Sequence, residues 1–278
     1  MSSIPERYDR NAEDYERYWA PVLDASARRL LDRVEPLVAG AGRRPRILDV
    51  GTGSGVLALD ALGRWPDASV VGVDASSGML DMARRRAGST GRAADDPRLR
   101  WVHAPADAIP EADAAFDIVV SSFVYQLVPD RGAAFREALR LLRPGGWICL
   151  VTWLDRGPDF APAVEFDEAV FDLEIDEPEE EEEVRAGDFR SPRSAATELR
   201  RAGFRRVAAH AEALEYSWTR ESYLDFKVQY DELALFTFLD EATALKLVER
   251  ARERLAALPD EDFDWRAELV AAVGQRPT

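Results

Sequence analysis

ILDVGTGSG, residues 47–55, decides the fold. Its opening residues are apolar apart from Asp49, and they run straight into glycines at 51, 53 and 55. Glycine lets the chain turn tightly and lets a ligand touch backbone with no Cβ in the way. A helix follows to about Gly63, so its free N–H groups and positive end face whatever lies on the loop. In a parallel sheet such a unit belongs at the carboxyl ends of the strands, where the strand order reverses.

Outward from that unit the pattern repeats. SVVGVD (69–74) reads as a second buried strand ending in Asp74, followed by a helix around Ser77–Ala87. LRWVHA (99–104), FDIVVSS (116–122) and WICLVTW (147–153) read as three more strands, with a helix at Arg131–Leu142 and an RPGG turn between the last two. Val207–Trp218 suits a sixth strand and RAELVAAVGQ (266–275) a closing edge strand. Apolar strands alternating with helices imply a parallel sheet covered on both faces. The expected fold is therefore α/β: a doubly wound, mostly parallel seven-stranded sheet with helical cap insertions.

The organisation follows. Residues 1–45 read as an amphipathic helical segment that covers the ligand site, and 46–154 as the α/β core. Residues 155–190 read as an insertion whose acid run, Glu174–Glu183, is expected to be mobile because like charges repel. Residues 191–218 return to the core, with a helix capped at Ser191 and stopped by Gly203. Residues 219–262 form a helical cap, with Tyr223, Phe226, Tyr230, Leu233 and Phe236 at helical steps, and 263–278 the closing edge strand.

Composition narrows the function classes. With 36 basic and 52 acidic residues the net charge is −16, a field that repels phosphate backbones and anionic lipid. A nucleic-acid or membrane partner is not expected. Cys149, the single cysteine, permits no disulfide framework or Cys-rich metal site and reads as an inert buried thiol. The charged start and the lack of a long apolar stretch read as a cytoplasmic protein, monomer or homodimer.

Four segments in order, ILDVGTGSG, VVGVDASSGML, FDIVVSSFVYQLVPD and LRPGGW, resemble the class I S-adenosylmethionine-dependent methyltransferase family, especially the ubiquinone and menaquinone biosynthesis group. The resemblance covers Tyr8 to about Trp153, with weaker echoes at 187–204. It implies S-adenosylmethionine as cofactor, S-adenosylhomocysteine as product and a small-molecule acceptor. It further implies that Gly51, Thr52 and Gly53 line the methionyl part, that Asp49 holds its amino group through the loop, and that Asp74 binds the ribose diol. Ala75 and Met79 would sandwich the adenine, Ser121 would face the methionyl portion, and Phe123 and Gln126 the reaction chamber, with Tyr15 closing over the cofactor. One departure stands out. Where many relatives carry an acid after the third strand, this chain has Pro105, followed by Ala106, whose backbone can bond the ring, and Asp107, which either replaces the missing acid or does not.

Methyl transfer from a sulfonium has an activated leaving group, so alignment and exclusion of water are the main demands. His103 and His210, the two histidines, sit in strand patterns and read as structural, and Gln126 stands where many relatives carry His. No general base is assigned. Two rivals are weighed: a nicotinamide-dependent oxidoreductase, whose G-x-G-x-x-G spacing the third glycine misses by one residue, and a non-catalytic cofactor-binding protein on the same fold.

Overall fold

A computed structural model of the chain describes residues 3–40, 44–90, 96–155, 157, 159–176, 178 and 184–278. The chain opens with α1 (Ile4–Arg10), α2 (Ala12–Asp14), a π-helical turn at Tyr15–Trp19 and the long α3 (Ala20–Gly40). The core runs β1 (Arg46–Val50), α4 (Val56–Arg64), β2 (Ser69–Asp74), α5 (Ser77–Ser89), β3 (Leu99–His103), β4 (Phe116–Ser122), α6 (Arg131–Leu141) and β5 (Leu142–Trp153). Then come α7 (Ala161–Asp172), α8 (Pro192–Ala202), β6 (Arg205–Ser217), α9 (Arg220–Phe226), a second π turn at Lys227–Asp231, α10 (Leu233–Phe238), α11 (Glu241–Ala256) and β7 (Asp264–Gln275).

Local chemistry sets these boundaries. Ser3 caps α1 in a reciprocal box with Glu6, and the Ser76 and Asp130 side chains accept the first free amides of α5 and α6. At α8, Ser191 supplies the cap and Gly203, at φ +111°, the left-handed stop. Each start and stop signal is a short polar or glycine residue beside an apolar periodic run.

The seven strands form one sheet in the order β3-β2-β1-β4-β5-β7-β6. β1 to β5 pair in parallel, and β7 is antiparallel to both β5 and β6. The order reverses between β1 and β4, the two neighbours whose carboxyl ends carry the glycine loop and Phe123. One face is covered by α3, α4, α7, α9 and α11 around Leu30, Ile47, Ile118, Phe166 and Leu247. The other is covered by α6 and α8 around Leu48, Val119, Phe135 and Leu199.

One expectation is corrected. The final strand is not at the edge: β7 lies between β5 and β6, and β6 is the outer strand. The reason is legible in their side chains. Leu269–Ala272 is a run of four apolar residues, all buried, as an interior strand requires, whereas β6 interleaves Arg, His and Glu with alanines, as an edge tolerates. The stretch 220–258, which reads from its periodicity as one or two long helices, is divided by the π turn and by the break at Leu239 and Asp240. Of the acid run at 174–183, Glu177 and residues 179–183 lie outside the described residues.

Candidate cofactor site

The carboxyl ends of β1, β2, β3 and β4 surround a cavity of about 600 Å³. Its floor is the loop after β1. The Gly51 and Thr52 amides both donate to the Val73 carbonyl, at 2.8 and 2.9 Å, which straps the loop to β2. Gly51 has φ +68°, and a Cβ there would lie 2.1 Å from Val124 Cγ2. Two constraints thus make residue 51 glycine: the backbone is left-handed, and the turn after β4 packs directly on it.

Asp74, at the end of β2, faces the same cavity. Its Oδ2 accepts the Gly53 amide at 2.8 Å and its Oδ1 the Ser76 amide at 2.9 Å. Each oxygen keeps a lone pair free for a further donor. Burial raises the pKa of this carboxyl, against the two amides that lower it.

The structure brings nine of the sequence-derived candidates to the cavity wall: Tyr15, Gly51, Gly53, Asp74, Ala75, Met79, Ala106, Asp107 and Phe123 line it, whereas Thr52 belongs to the same loop with its side chain behind. Asp107 is exposed at the rim beside Pro105. Asp49, Ser121 and Gln126 lie behind the wall rather than on it. The Thr52 hydroxyl donates to Asp49 Oδ2 at 2.6 Å, and the Ser121 hydroxyl donates to the Val50 carbonyl at 2.8 Å, pinning the root of the loop. Gln126 is 3% exposed, its amide turned onto Phe123 and Thr152. The alternating pleat explains Ser121: successive strand residues face opposite sides, and Ser122 lines the cavity instead. Neither histidine lines the cavity. His103 Nε2 lies 2.9 Å from the Ala75 carbonyl with its ring exposed, and His210 sits on the edge strand beside Glu212.

Sequence reasoning laid the N-terminal segment over the site but named only Tyr15 of its residues. Ser3, Ile4, Pro5 and Tyr8 of the N-terminal segment line the cavity, as do Val124, Leu127, Val128, Pro129 and Val184. The roof is held down by Asp9, whose Oδ1 accepts the Ser76 hydroxyl at 2.6 Å and the Gly78 amide at 2.7 Å. Tyr8 meets Tyr15 edge-on at 5.6 Å, and Tyr15 meets Tyr230 at 6.2 Å, joining the roof to the segment after α9. The signal was present: Ser3-Ile-Pro-Glu6 is a capping box that opens the helix carrying Tyr8.

Asp49 has an unusual protonation. Burial pushes its carboxyl up to about 7; Asp74 adds to the rise, while the Thr52 hydroxyl and the Ala58 amide oppose it. A carboxyl whose folded pKa exceeds its unfolded value stabilises the fold fully below about pH 4, and that contribution is lost as pH climbs toward 7. Asp49→Asn, which keeps an acceptor for Thr52 and cannot ionise, is expected to gain about 2 kcal/mol relative to the parent between pH 5 and pH 8. In thermal melts this is a relative rise of roughly 4–8 °C. Parallel melting curves across that range would show the carboxyl to be ordinary.

Residues 47–146 match the family described as a methyltransferase domain. A malonyl-[acyl-carrier protein] O-methyltransferase of Geobacter sulfurreducens is 38% identical over 140 residues, 50% of this chain and 48% of that protein. A demethylmenaquinone methyltransferase of Thermus thermophilus is 43% identical over 101 residues, 36% of this chain and 44% of that protein. The chain thus spans about half the length of these relatives. Among solved structures, a phosphoethanolamine N-methyltransferase of Haemonchus contortus bound to S-adenosylhomocysteine has a TM-score of 0.57 at 20% identity, covering 97% of this chain and 58% of that one. The [4+2]-cyclase SpnF has a TM-score of 0.53 at 18% identity, covering 85% and 76%. At such identities these two likenesses speak for the fold alone.

Proposed function

With a methyltransferase domain over residues 47–146 as premise, we propose that the chain binds S-adenosylmethionine and transfers its methyl group to a small, largely apolar acceptor. The observation that carries this reading is Asp74, poised with spare acceptor capacity across from bare main chain at Gly51 and Gly53, in a cavity at the sheet's reversal point.

The residues fit the cofactor. Asp74 would take the ribose hydroxyls, and the Gly51–Gly53 main chain the methionyl portion. Ala75 and Met79 on one side and Ala106 on the other would enclose the adenine, with Asp107 at its rim. Asp49, Thr52 and Ser121 act from behind, by fixing the loop's shape. When bound, the cofactor supplies an electrophilic methyl on a sulfonium.

The protein's own part is to bind, orient and keep water out. Proximity and alignment alone can contribute about 7–11 kcal/mol. Among the described lining residues, Tyr8, Tyr15, Asp74 and Asp107 are the titratable ones, and burial lifts Tyr15 well above its usual range, so it does not serve as a base. An acceptor that is already nucleophilic at neutral pH suits this wall. The roof from Ile4 to Tyr15, backed by Tyr230 and Phe226 of the 219–262 segment, forms the cap that excludes solvent. Among the described residues there is no cluster of metal-ligating side chains and no helix long and apolar enough to cross a membrane; a cytoplasmic setting is part of the same proposal.

Calorimetric titration with S-adenosylhomocysteine and NAD side by side tests the reading. Saturable binding of the first and none of the second is expected, and the reverse would overturn it. A crystal soaked with S-adenosylhomocysteine should place the ribose on Asp74 and show the space beyond the sulfur closed by the cap.

A further inference from the structure

Four non-glycine residues among those described have positive φ, and Phe123, at φ +57°, is the one that lines the cavity. A bulky L-residue rarely occupies this region, and it persists only where its surroundings hold it. Here they do so at three points. The Phe123 amide donates to the Val151 carbonyl at 2.8 Å. Its carbonyl accepts from Gln126 Nε2 at 2.7 Å. Gln126 Oε1 in turn accepts the hydroxyl of Thr152, the residue after Val151 on β5. The result is a closed hydrogen-bonded circuit from β5 through the Gln126 amide to Phe123 and back to β5.

Glutamine suits this circuit because one planar group both donates and accepts. Gln126 and Thr152 are buried, so water does not compete for either bond. The circuit fixes more than one residue. Val124 and Leu127 belong to the same turn and also line the cavity, and Val124 is the residue that abuts Gly51. The Gln126 carbonyl accepts the Gly187 amide at 3.0 Å, which ties the returning arm of the insertion to the turn. The Phe123 ring is braced from behind by Trp153, with centroids 4.6 Å apart.

We infer that Gln126 is a positioning residue: by locking Phe123 in a left-handed backbone it sets the aromatic wall at the glycine-loop end of the cavity, where donor sulfur and acceptor meet. The inference rests on the proposed cofactor and its orientation, with the methionyl end on Gly51. Gln126 thus stands not on the cavity surface, where the family resemblance puts it, but in the support behind Phe123.

The test uses two ligands that differ at the reacting position: S-adenosylhomocysteine, and sinefungin, which carries a charged amine where the transferred methyl stands. A cation against an aromatic face gains enough to change affinity up to about tenfold. Gln126→Leu is expected to keep S-adenosylhomocysteine affinity within about threefold while sinefungin weakens by about tenfold. A loss of packing alone would move both ligands together. Gln126→Glu supplies the second arm. Burial raises the pKa of a carboxyl, and its protonated form donates and accepts as the amide does. The sinefungin-to-S-adenosylhomocysteine affinity ratio of this variant is expected to match the parent at pH 5.5 and Gln126→Leu at pH 8.5. Asp49 and Asp74 on the loop side, and Arg131 and Asp188 flanking Gly187, are present in parent and variant alike, so their charges act equally on both and cancel in the comparison. If the parent binds neither ligand, the methyltransferase reading falls and this inference with it. If the parent binds both and the ratio is unchanged in Gln126→Leu, or if the Gln126→Glu ratio taken relative to the parent at the same pH is independent of pH, this inference alone is overturned.

Discussion

Asp74→Ala is expected to weaken S-adenosylhomocysteine binding by about 100-fold while the protein stays folded. Two charge-assisted hydrogen bonds to ribose hydroxyls, each contributing about 1.5 kcal/mol net, account for that factor. The fold survives because the amides released, Gly53 and Ser76, border a cavity that water can enter. Removing the charge also relieves Asp49, whose carboxyl Asp74 helps to raise. The stability midpoint assigned to Asp49 therefore moves to lower pH in Asp74→Ala. Calorimetry reads the first effect and pH-dependent melts the second. Unaltered ligand affinity in a folded variant would remove the basis of the site assignment.

Gly51→Ala is expected to be worse for the fold and comparably damaging to binding. An alanine at φ +68° costs about 1–2 kcal/mol in backbone strain. Its methyl must also displace Val124, whose Cβ and both methyls stand within 3 Å of it, and overpacking of this kind adds about 1–3 kcal/mol. The displaced turn carries Phe123, so the cavity changes shape at the end where chemistry is proposed. Gly53→Ala makes the control. Residue 53 has φ +53° and nothing within 4 Å of an added Cβ, so it bears the backbone strain without the collision. Thermal melts should place Gly51→Ala several degrees below Gly53→Ala; equal melting would show that the contact with Val124 yields freely.

The parallel core was legible because its signals are local. Each strand is a short apolar run, each turn after it holds glycine or an acid, and the helix caps at Ser76, Asp130 and Ser191 sit one residue before their helices. The line of main chain from Gly51 to Gly53, with Asp74 opposite, could be read for the same reason. What was not legible depends on contacts between distant segments. That Ile4 and Tyr8 roof the cavity follows from Asp9 reaching the start of α5, a pairing 67 residues apart. That Ser121 and Gln126 stand behind the wall depends on strand pleat and on the left-handed turn at Phe123, which no residue type at 123 announces. The place of β7 was misread because an antiparallel strand inserted between two others looks, along the chain, like one added at the end. Its all-apolar centre at Leu269–Ala272 was the available clue.

The position of β7 has a consequence for how the chain assembles. β6 leaves the ribosome well before β7, yet among the described residues its only strand partner is β7. Until residues 264–275 emerge, the thirteen residues of β6 have no ladder to join and the flank of β5 stays open. The parallel part of the sheet, β1 to β5, can therefore condense early, whereas two strands must dock almost together at the finish, across the long sequence separations that slow folding. Loss of the last dozen residues of β7 would unzip both strands, leaving the β5 flank bare and adhesive.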